Sequence, residues 1–266
     1  MNNKIGIDAG GSLMKIAYEE NGRIHFRKYP LDEMDPALKW IRMLHSDKTI
    51  CLTGGRAGNL KSAFFPDAAI VEEFKAVCEG VKYLLAKEQR SLEEKFLLVN
   101  IGTGTSWFTM DGERYERVFG SGIGGGTLLG LGHILSGTDE FSKLVDLSAA
   151  GDRGNVDMLV KDIYESHEPP IPGDLTASNF AKASGEQSGS PEDQITSLFN
   201  MIAETITLFT VQNAAIHRAK KVAFIGSTLS GNKPLQDSLD YYCKMSDLEP
   251  EFIQNGEFSG AIGATL

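Results

Sequence analysis

Three short segments rich in glycine, serine and threonine follow strand-like stretches of the sequence, and each could bind phosphate. The segments 8–12 and 102–106 each lie between two strands, whereas the segment 120–127 directly precedes a helix. Glycines in such turns let the backbone approach a ligand closely and expose N–H groups to phosphate oxygens. The first two turns, facing each other, would clamp a polyphosphate. The third would direct free N–H groups and the positive end of a helix dipole at an anion.

Two charged residues accompany the first turn. Asp8 ends a strand and is placed to hold a hydrated Mg²⁺, while Lys15 lies on the returning strand, on the face that carries Leu13 and Ala17. Lys15 is either a cation directed at the phosphates or an edge lysine whose ammonium stays in water. Simpler interpretations remain for the turns: an ordinary glycine-rich hairpin with a surface aspartate, and a flexible loop with a helix cap. Three such turns at strand ends favour the phosphate-binding interpretation.

Phosphoryl transfer also needs a base beside the acceptor hydroxyl and a cation for the transferring group. Glu73 follows the apolar segment 68–71, a position from which a carboxylate could face a cleft. It could also be a helix N-terminal glutamate favoured by the dipole, and Glu72 is a competing carboxylate. Arg117 lies on a hairpin strand and is either part of the site or a solvated surface arginine. The sequence thus contains candidates for both roles, each with an open alternative.

Composition excludes several other classes of protein. The 266 residues include 36 acidic and 26 basic side chains, a formal charge of −10, which is the wrong sign for a nucleic-acid partner. Cys51, Cys78 and Cys243 are far apart, which predicts neither a disulfide framework nor a zinc site and fits a cytoplasmic setting. The beginning lacks a signal-peptide pattern, and the longest uncharged stretch, 118–138, contains eight glycines. We therefore expect no export and no membrane span.

Hydrophobic periodicity predicts the elements that must position these residues. Strands are expected over 4–9, 13–19, 23–30, 48–53, 68–71, 95–101, 106–110, 114–119, 221–225 and 251–253. Helices are expected over 35–46, 74–90, 126–135, 139–149, 156–165, 176–183, 191–220, 234–244 and 259–266. The strand, turn and returning strand around residue 8 recur around residue 100, so two mixed α/β halves are predicted, each opening with a β-hairpin. The helix over 191–220 carries more apolar positions than one narrow stripe needs, so it is either a central core helix or a surface for self-association.

These segments resemble the actin/hexokinase/Hsp70 ATPase superfamily and, within it, the type II pantothenate kinases. The resemblance extends over nearly the whole chain. The phosphate turns are specific only to the superfamily. Three further segments point to the one family: Glu73-Phe74, Arg117 to Gly126, and Pro169-Pro170-Ile171-Pro172-Gly173-Asp174. Ile225-Gly226-Ser227, which matches an adenosine loop, and the closing segment 255–264 agree with it.

The resemblance implies an α/β, two-lobed actin-like ATPase fold of the ribonuclease H-like kind, each half a mixed β-sheet flanked by helices, with an ATP cleft between residues 1–92 and 93–266. It implies ATP- and Mg²⁺-dependent phosphorylation of pantothenate to 4′-phosphopantothenate, the first step of coenzyme A biosynthesis, by a homodimer. Two alternatives stay open. One is another small-molecule kinase or ATPase of the superfamily, such as the activator of a dehydratase, and the other is a nucleotide-sensing module without turnover.

Roles of individual residues also follow from the resemblance. Glu73 matches the catalytic base, Lys15 and Arg117 complete the catalytic set, and Asp8 is the implied metal ligand. Ser106 and Arg117 match positions that contact the transferring phosphate or pantothenate. The implied nucleotide-binding residues are Asp8, Ala9, Gly10, Gly11, Ser12, Leu13, Met14, Lys15, Thr103, Ser106, Gly125, Gly126, Thr127, Leu128, Leu129, Phe141 and Ser227. Phe141 stands where some relatives have tyrosine, and Asn100 where many members of the superfamily have aspartate.

Overall fold

Two β-sheets of the same topology form the frame of the molecule. The computed structural model describes residues 3–44, 48–90, 95–164, 167–184 and 189–266. The strands of the first sheet are β1 (Lys4–Ala9), β2 (Leu13–Glu20), β3 (Arg23–Pro30), β4 (Thr49–Thr53) and β5 (Ala69–Ile70). Those of the second sheet are β6 (Phe96–Ile101), β7 (Thr105–Asp111), β8 (Arg114–Ser121), β11 (Lys221–Ile225) and β12 (Glu249–Phe252), and a short pair is formed by β9 (Met158–Leu159) and β10 (Thr176–Ser178).

Helices cover the faces of both sheets. They are α1 (Met34–Leu44), α2 (Ala57–Ala63), α3 (Glu73–Lys87), α4 (Gly125–Ser136), α5 (Phe141–Ala150), α6 (Val160–Ile163), α7 (Pro191–His217), α8 (Lys233–Met245) and α9 (Ser259–Gly263). No helix among the described residues is both long enough and apolar enough to cross a membrane.

The second sheet repeats the first strand for strand. The order is β3-β2-β1-β4-β5 in one and β8-β7-β6-β11-β12 in the other. In each, an antiparallel meander of three strands continues into two strands parallel to its first member. The predicted α/β fold of two mixed sheets flanked by helices is therefore confirmed. Each sheet also turns the end of its first strand, with the Gly/Ser/Thr segment that follows it, toward the same cleft.

The C-terminal helix α9 lies between α3 and strand β1. A Cβ on Gly80 of α3 would lie 1.9 Å from the Ser259 carbonyl oxygen, and one on Gly6 of β1 would lie 1.8 Å from the Ala261 carbonyl oxygen. Both contacts are therefore backbone against backbone, which only glycine permits. Lys4 Nζ donates to the Thr265 carbonyl oxygen at 2.8 Å. The end of the chain thus packs on the first sheet, while the boundary at residues 92 and 93 stays a prediction.

The segment 156–183 differs from its prediction. In place of helices over 156–165 and 176–183, it forms the β9–β10 pair and the single turn α6, with residue 165 outside the described residues. Side-chain carboxylates here accept hydrogen bonds from backbone N–H groups that would donate to backbone carbonyl oxygens in a helix. The buried Asp157 accepts from Phe180 N–H at 2.9 Å, and Asp162 accepts from Leu159 N–H at 2.8 Å. Helix α2 is a further element that periodicity did not indicate, and residues 45 and 46 of the first predicted helix are not described.

Candidate active site

The two predicted phosphate turns meet across the cleft between the sheets. Ser12 Oγ lies 2.9 Å from Thr103 Oγ1, within hydrogen-bond distance. Each turn is closed by its own backbone, since Gly10 N–H donates to the Leu13 carbonyl oxygen at 3.1 Å and Gly102 N–H to the Gly104 carbonyl oxygen at 2.9 Å. The hydroxyl groups of both turns therefore lie together at the rim of one cavity.

That cavity, the phosphate cavity, has a volume of about 240 Å³ and is lined from both halves of the chain. The predicted residues in its wall are Asp8, Gly10, Gly11, Ser12, Leu13, Lys15, Glu73, Thr103, Ser106, Arg117 and Ser227. The structure thus brings the three predicted catalytic side chains, Lys15, Glu73 and Arg117, to the phosphate turns. Asn100 also lines the cavity, at the end of β6.

A second cavity of about 400 Å³, the nucleoside cavity, adjoins the first. Both share Ser12, Leu13, Gly102, Thr103 and Ser227 in their walls. The nucleoside cavity also contains the predicted Gly125, Gly126, Leu129 and Phe141. Leucine, proline and phenylalanine side chains with a few polar groups are typical of cavities that bind small organic ligands. This wall also contains five residues that no sequence motif indicated: Lys28, Pro30, Asp139, Thr228 and Ser230.

Asp8 is a nearly buried carboxylate at the floor of the phosphate cavity, with 8% of its surface exposed. It faces Lys15 directly across the β1–β2 ladder, and Lys15 Nζ lies 3.4 Å from Asp8 Oδ2. Two glycines leave room for the carboxylate, because a Cβ on Gly54 would lie 2.7 Å from Oδ1 and one on Gly260 2.9 Å from Oδ2.

The donor set at Asp8 fits a hydrated Mg²⁺. No group of three histidine, cysteine or acidic side chains suited to a metal occurs in the part of the chain that the structure describes. Mg²⁺ keeps most of its water and needs only one or two carboxylates beside substrate phosphates. Asp8, buried and directed into a cavity with one lysine as its ion-pair partner, is such a carboxylate.

The neighbouring carboxylates Glu72 and Glu73 have different positions. Glu72 is the N-cap of α3, and its side chain accepts from the N–H groups of Phe74 at 2.9 Å and Lys75 at 2.6 Å. Glu73, the first residue of the helix, lines the phosphate cavity. Its carboxylate has no hydrogen bond or ion pair within the described ranges. Glu72 therefore stabilises the helix, and Glu73 is the carboxylate available to a ligand.

The surroundings of Glu73 raise the pKa of its carboxyl group above the ordinary value. The largest cause is desolvation by the cavity walls, followed by the negative charges of Asp8 and Glu72, while Lys15 and Arg117 act in the opposite direction. The side chain of Glu73 is nevertheless exposed. A carboxylate of raised basicity that solvent and substrate can reach suits proton abstraction.

Arg117 reaches the cavity because strand β8 is irregular. Gly120 pairs with Ser106 and Phe119 with Trp107, but Arg117 then pairs with Phe108, which leaves Val118 without a partner. This shift of one residue turns Arg117 to the face of the sheet that carries Ser106 and Phe108. Arg117 Nε donates to Ser106 Oγ at 3.4 Å. Two residues that were each predicted to contact substrate, Ser106 and Arg117, are thus also in contact with each other.

The start of α4 differs from its prediction. Gly125 N–H donates to the Gly102 carbonyl oxygen at 2.8 Å, and Gly126 N–H to the Thr103 carbonyl oxygen at 2.9 Å. The expectation that free N–H groups here face an anion is therefore wrong for these two amides. They fix the second turn instead. Thr228 Oγ1 donates to the same Gly102 oxygen at 2.9 Å.

Four further predicted nucleotide-binding residues have side chains that are engaged elsewhere. Ala9, Met14 and Leu128 are fully buried in the hydrophobic cores, and Thr127 Oγ1 donates to the Gly122 carbonyl oxygen at 2.9 Å. A bound nucleotide could meet the three buried residues only through their backbone. Their assignment to the nucleotide stays a prediction.

Comparison with known proteins identifies the family. The Fumble family model matches residues 18–266. The type II pantothenate kinase of Oceanobacillus iheyensis is 40% identical over 263 residues, covering 99% of this chain and 98% of the relative. Those of Bacillus cereus strain AH820 and Staphylococcus aureus strain USA300 are 39% and 35% identical, over 100% and 98% of this chain and 98% of each relative.

Solved structures share the fold at low identity. The activator of the 2-hydroxyisocaproyl-CoA dehydratase from Clostridium difficile with bound ADPNP superposes with a TM-score of 0.68 at 15% identity, over 98% of this chain and 92% of that one. A ROK family glucokinase from Streptomyces griseus, in complex with glucose and AMPPNP, gives 0.59 at 14% identity, over 98% and 97%. The fold is therefore that of actin-like ATPases and kinases, and the full-length relatives place this chain in the type II pantothenate kinase family.

Proposed function

We propose that the protein transfers the γ-phosphoryl group of ATP to the terminal hydroxyl of pantothenate, the first step of coenzyme A biosynthesis. The observation that carries this proposal is the position of Glu73. It is an unpaired carboxylate, within the described structure, in the same cavity as the phosphate turns, Asp8 and Lys15. The names of the full-length relatives supply the acceptor.

The two cavities bind different parts of the phosphoryl donor, ATP. The nucleoside cavity takes the adenosine, with Phe141 and Leu129 in its wall, and the turns around Ser12 and Thr103 take the phosphates. Asp8 would hold a hydrated Mg²⁺, which supplies positive charge to the phosphates and orients them. Lys15 adds a second cation from the neighbouring strand. With the donor fixed in this way, its terminal phosphate lies in the phosphate cavity.

The acceptor enters from the side of Glu73 and Arg117. Glu73 accepts the hydroxyl proton as the hydroxyl oxygen bonds to the γ-phosphorus, and the bond from that phosphorus to the bridging oxygen of ADP breaks. Arg117 contacts the transferring phosphate or the pantothenate. The charge that spreads over the phosphoryl oxygens is thus met by Lys15 and Arg117 from opposite halves of the chain.

The assay for this function is ADP release in the presence and absence of pantothenate. Release that depends on pantothenate supports the proposal. Release without pantothenate indicates an ATPase, release that depends on another acceptor indicates a different kinase of the superfamily, and nucleotide binding without release indicates a sensing module. The dehydratase-activator alternative would need cysteines at the start of α4. Instead Cys51, Cys78 and Cys243 are all buried in other elements, and burial raises the pKa of the Cys78 and Cys243 thiols to about 12.

We also propose that the enzyme is a cytoplasmic homodimer that associates through α7. The inner side of this helix fills the core of the second half, with Ile202 and Ile206 almost fully buried. On its outer side Leu208 and Ile216 are 59% and 72% exposed, which a core helix alone does not require. Light scattering across micromolar dilution tests this. A mass of 28.9 kDa at every concentration would remove the dimer.

A further inference from the structure

We propose that Phe74 and Gly120 are positioning residues that together form a seat for the guanidinium group of Arg117 beside the catalytic base. The inference rests on the proposed function for its catalytic meaning, and on the geometry of the three residues for its substance. Arg117 is an exposed side chain on an edge strand, yet one aromatic ring and one glycine confine its end group.

The ring of Phe74 forms one side of the seat. Arg117 Cζ lies 5.1 Å from the ring centroid, a distance at which a cation is attracted to the aromatic face. Phe108 fixes the ring in turn, edge to face, with centroids 5.6 Å apart at 61°. Phe74 directly follows Glu73 in the first turn of α3. The position of the cation is therefore tied to the same helix turn that carries the base.

Gly120 forms the other side. A Cβ at this position would lie 1.9 Å from Arg117 Nη2 and 2.9 Å from Cζ. Gly120 lies in strand β8 without the positive φ that favours glycine, so its backbone does not require this residue type. Space for the guanidinium group does. Gly122, two residues later, provides a contrast, because a Cβ there meets nothing within 4 Å.

An arginine needs such a seat to act reproducibly. Its side chain is long and has many rotamers, so ordering it when substrate binds costs conformational entropy. A side chain that is already ordered in the free enzyme avoids this cost at the binding step. The hydrogen bond to Ser106, at 3.4 Å, is too long to fix the group alone. The seat holds the guanidinium against Phe74 before substrate arrives.

The variants Gly120→Ala and Gly58→Ala test the seat. Gly58 lies in α2 and lines neither cavity, and a Cβ there meets nothing within 4 Å. The clash at position 120 involves the end of a flexible side chain, so the protein folds but Arg117 is displaced. We expect kcat/KM for pantothenate to fall about 2- to 30-fold in Gly120→Ala and in Phe74→Leu, the range that a cation–π contact contributes. Gly58→Ala should keep parental kcat/KM. Equal kcat/KM in the two glycine variants would overturn the proposal.

A double-mutant series separates positioning from a general structural effect. If Phe74 and Gly120 act through Arg117, then Phe74→Leu and Gly120→Ala should cause no further loss in an Arg117→Gln background. Losses that multiply in full would show that both act independently of Arg117 and would also overturn the proposal.

A third readout does not depend on the reaction. The rate at which phenylglyoxal modifies Arg117, followed by mass spectrometry, should rise several-fold in Gly120→Ala and stay parental in Gly58→Ala. Unchanged modification in Gly120→Ala would refute the seat. Absence of pantothenate-dependent ADP release from the parent would instead refute the proposed function, so the two failures are distinguishable.

Discussion

Changing Glu72 and Glu73 separately to glutamine should separate helix stability from catalysis. The two residues are adjacent and have the same side chain, but Glu72 caps α3 through the N–H groups of Phe74 and Lys75, and Glu73 faces the phosphate cavity. Glutamine keeps the shape of glutamate and removes its charge and basicity. Glu72→Gln should therefore lower the stability of the protein, whereas Glu73→Gln should lower its turnover.

The magnitudes follow from these positions. A positioned general base contributes roughly 10²- to 10⁴-fold, so Glu73→Gln should lower kcat by about that factor, with nucleotide affinity nearly unchanged. Glu72→Gln keeps one acceptor oxygen but loses the charge at the helix N-terminus. It should cost about 0.5–1 kcal/mol of stability, or roughly 1–4 °C in Tm for a chain of this size. Its kcat should stay within a few-fold of the parent.

The assays are coupled ADP release at saturating pantothenate and thermal unfolding of both variants. A variant pair in which Glu72→Gln loses turnover and Glu73→Gln keeps it would contradict the assignment. Near-parental turnover in Glu73→Gln alone would show that another group accepts the proton.

Three further outcomes are expected. Asp8→Asn should weaken Mg²⁺-dependent nucleotide binding in isothermal titration, and unchanged affinity and metal dependence would remove Asp8 as the metal ligand. Because the folded environment raises the pKa of Glu73 above 4.5, the acid limb of the kcat/KM profile should lie above pH 4.5 and activity should fall as protonation removes the base; a limb at or below that pH would contradict the proposed environment. Gly80→Ala should lower Tm although alanine ordinarily stabilises a helix interior by about 0.5–1 kcal/mol, because its Cβ would meet the Ser259 oxygen at 1.9 Å. Gly58→Ala in α2, with nothing within 4 Å, is the control and should not lower Tm.

Local sequence signals predicted the hairpins and turns well because their geometry depends on neighbouring residues. The turn between β2 and β3 is an example, since Asn21 and Gly22 have φ values of 51° and 73°. These are the left-handed values that Asn-Gly adopts most readily between antiparallel strands. The positions of Asp8 and Lys15 followed from the same strands, and the structure places them opposite each other.

Several features of the fold and the site depend on contacts between distant segments, which the local sequence does not show. The alternation of side chains in a regular β8 would turn Arg117 away from Ser106, and only the pairing with β7 shows the one-residue shift that brings them together. The amides of Gly125 and Gly126 have helix-start positions that predict free donors, but carbonyl oxygens from the second turn occupy them. The described residues of segment 156–183 form no long helix, because Asp157 and Asp162 accept hydrogen bonds from backbone N–H groups there.

The backbone contacts of α9 also affect when the candidate site can form during synthesis of the chain. Glu73 and Asp8 leave the ribosome early, on α3 and β1, whereas α9, which touches both elements, is synthesised near the end of the described chain. Until then Gly80 on α3 and Gly6 on β1 lack the backbone they pack against. Contacts between residues so far apart in sequence form late because closing a long loop is entropically costly. A nascent chain should therefore fix the spacing between Glu73 and Asp8 only after α9 has emerged.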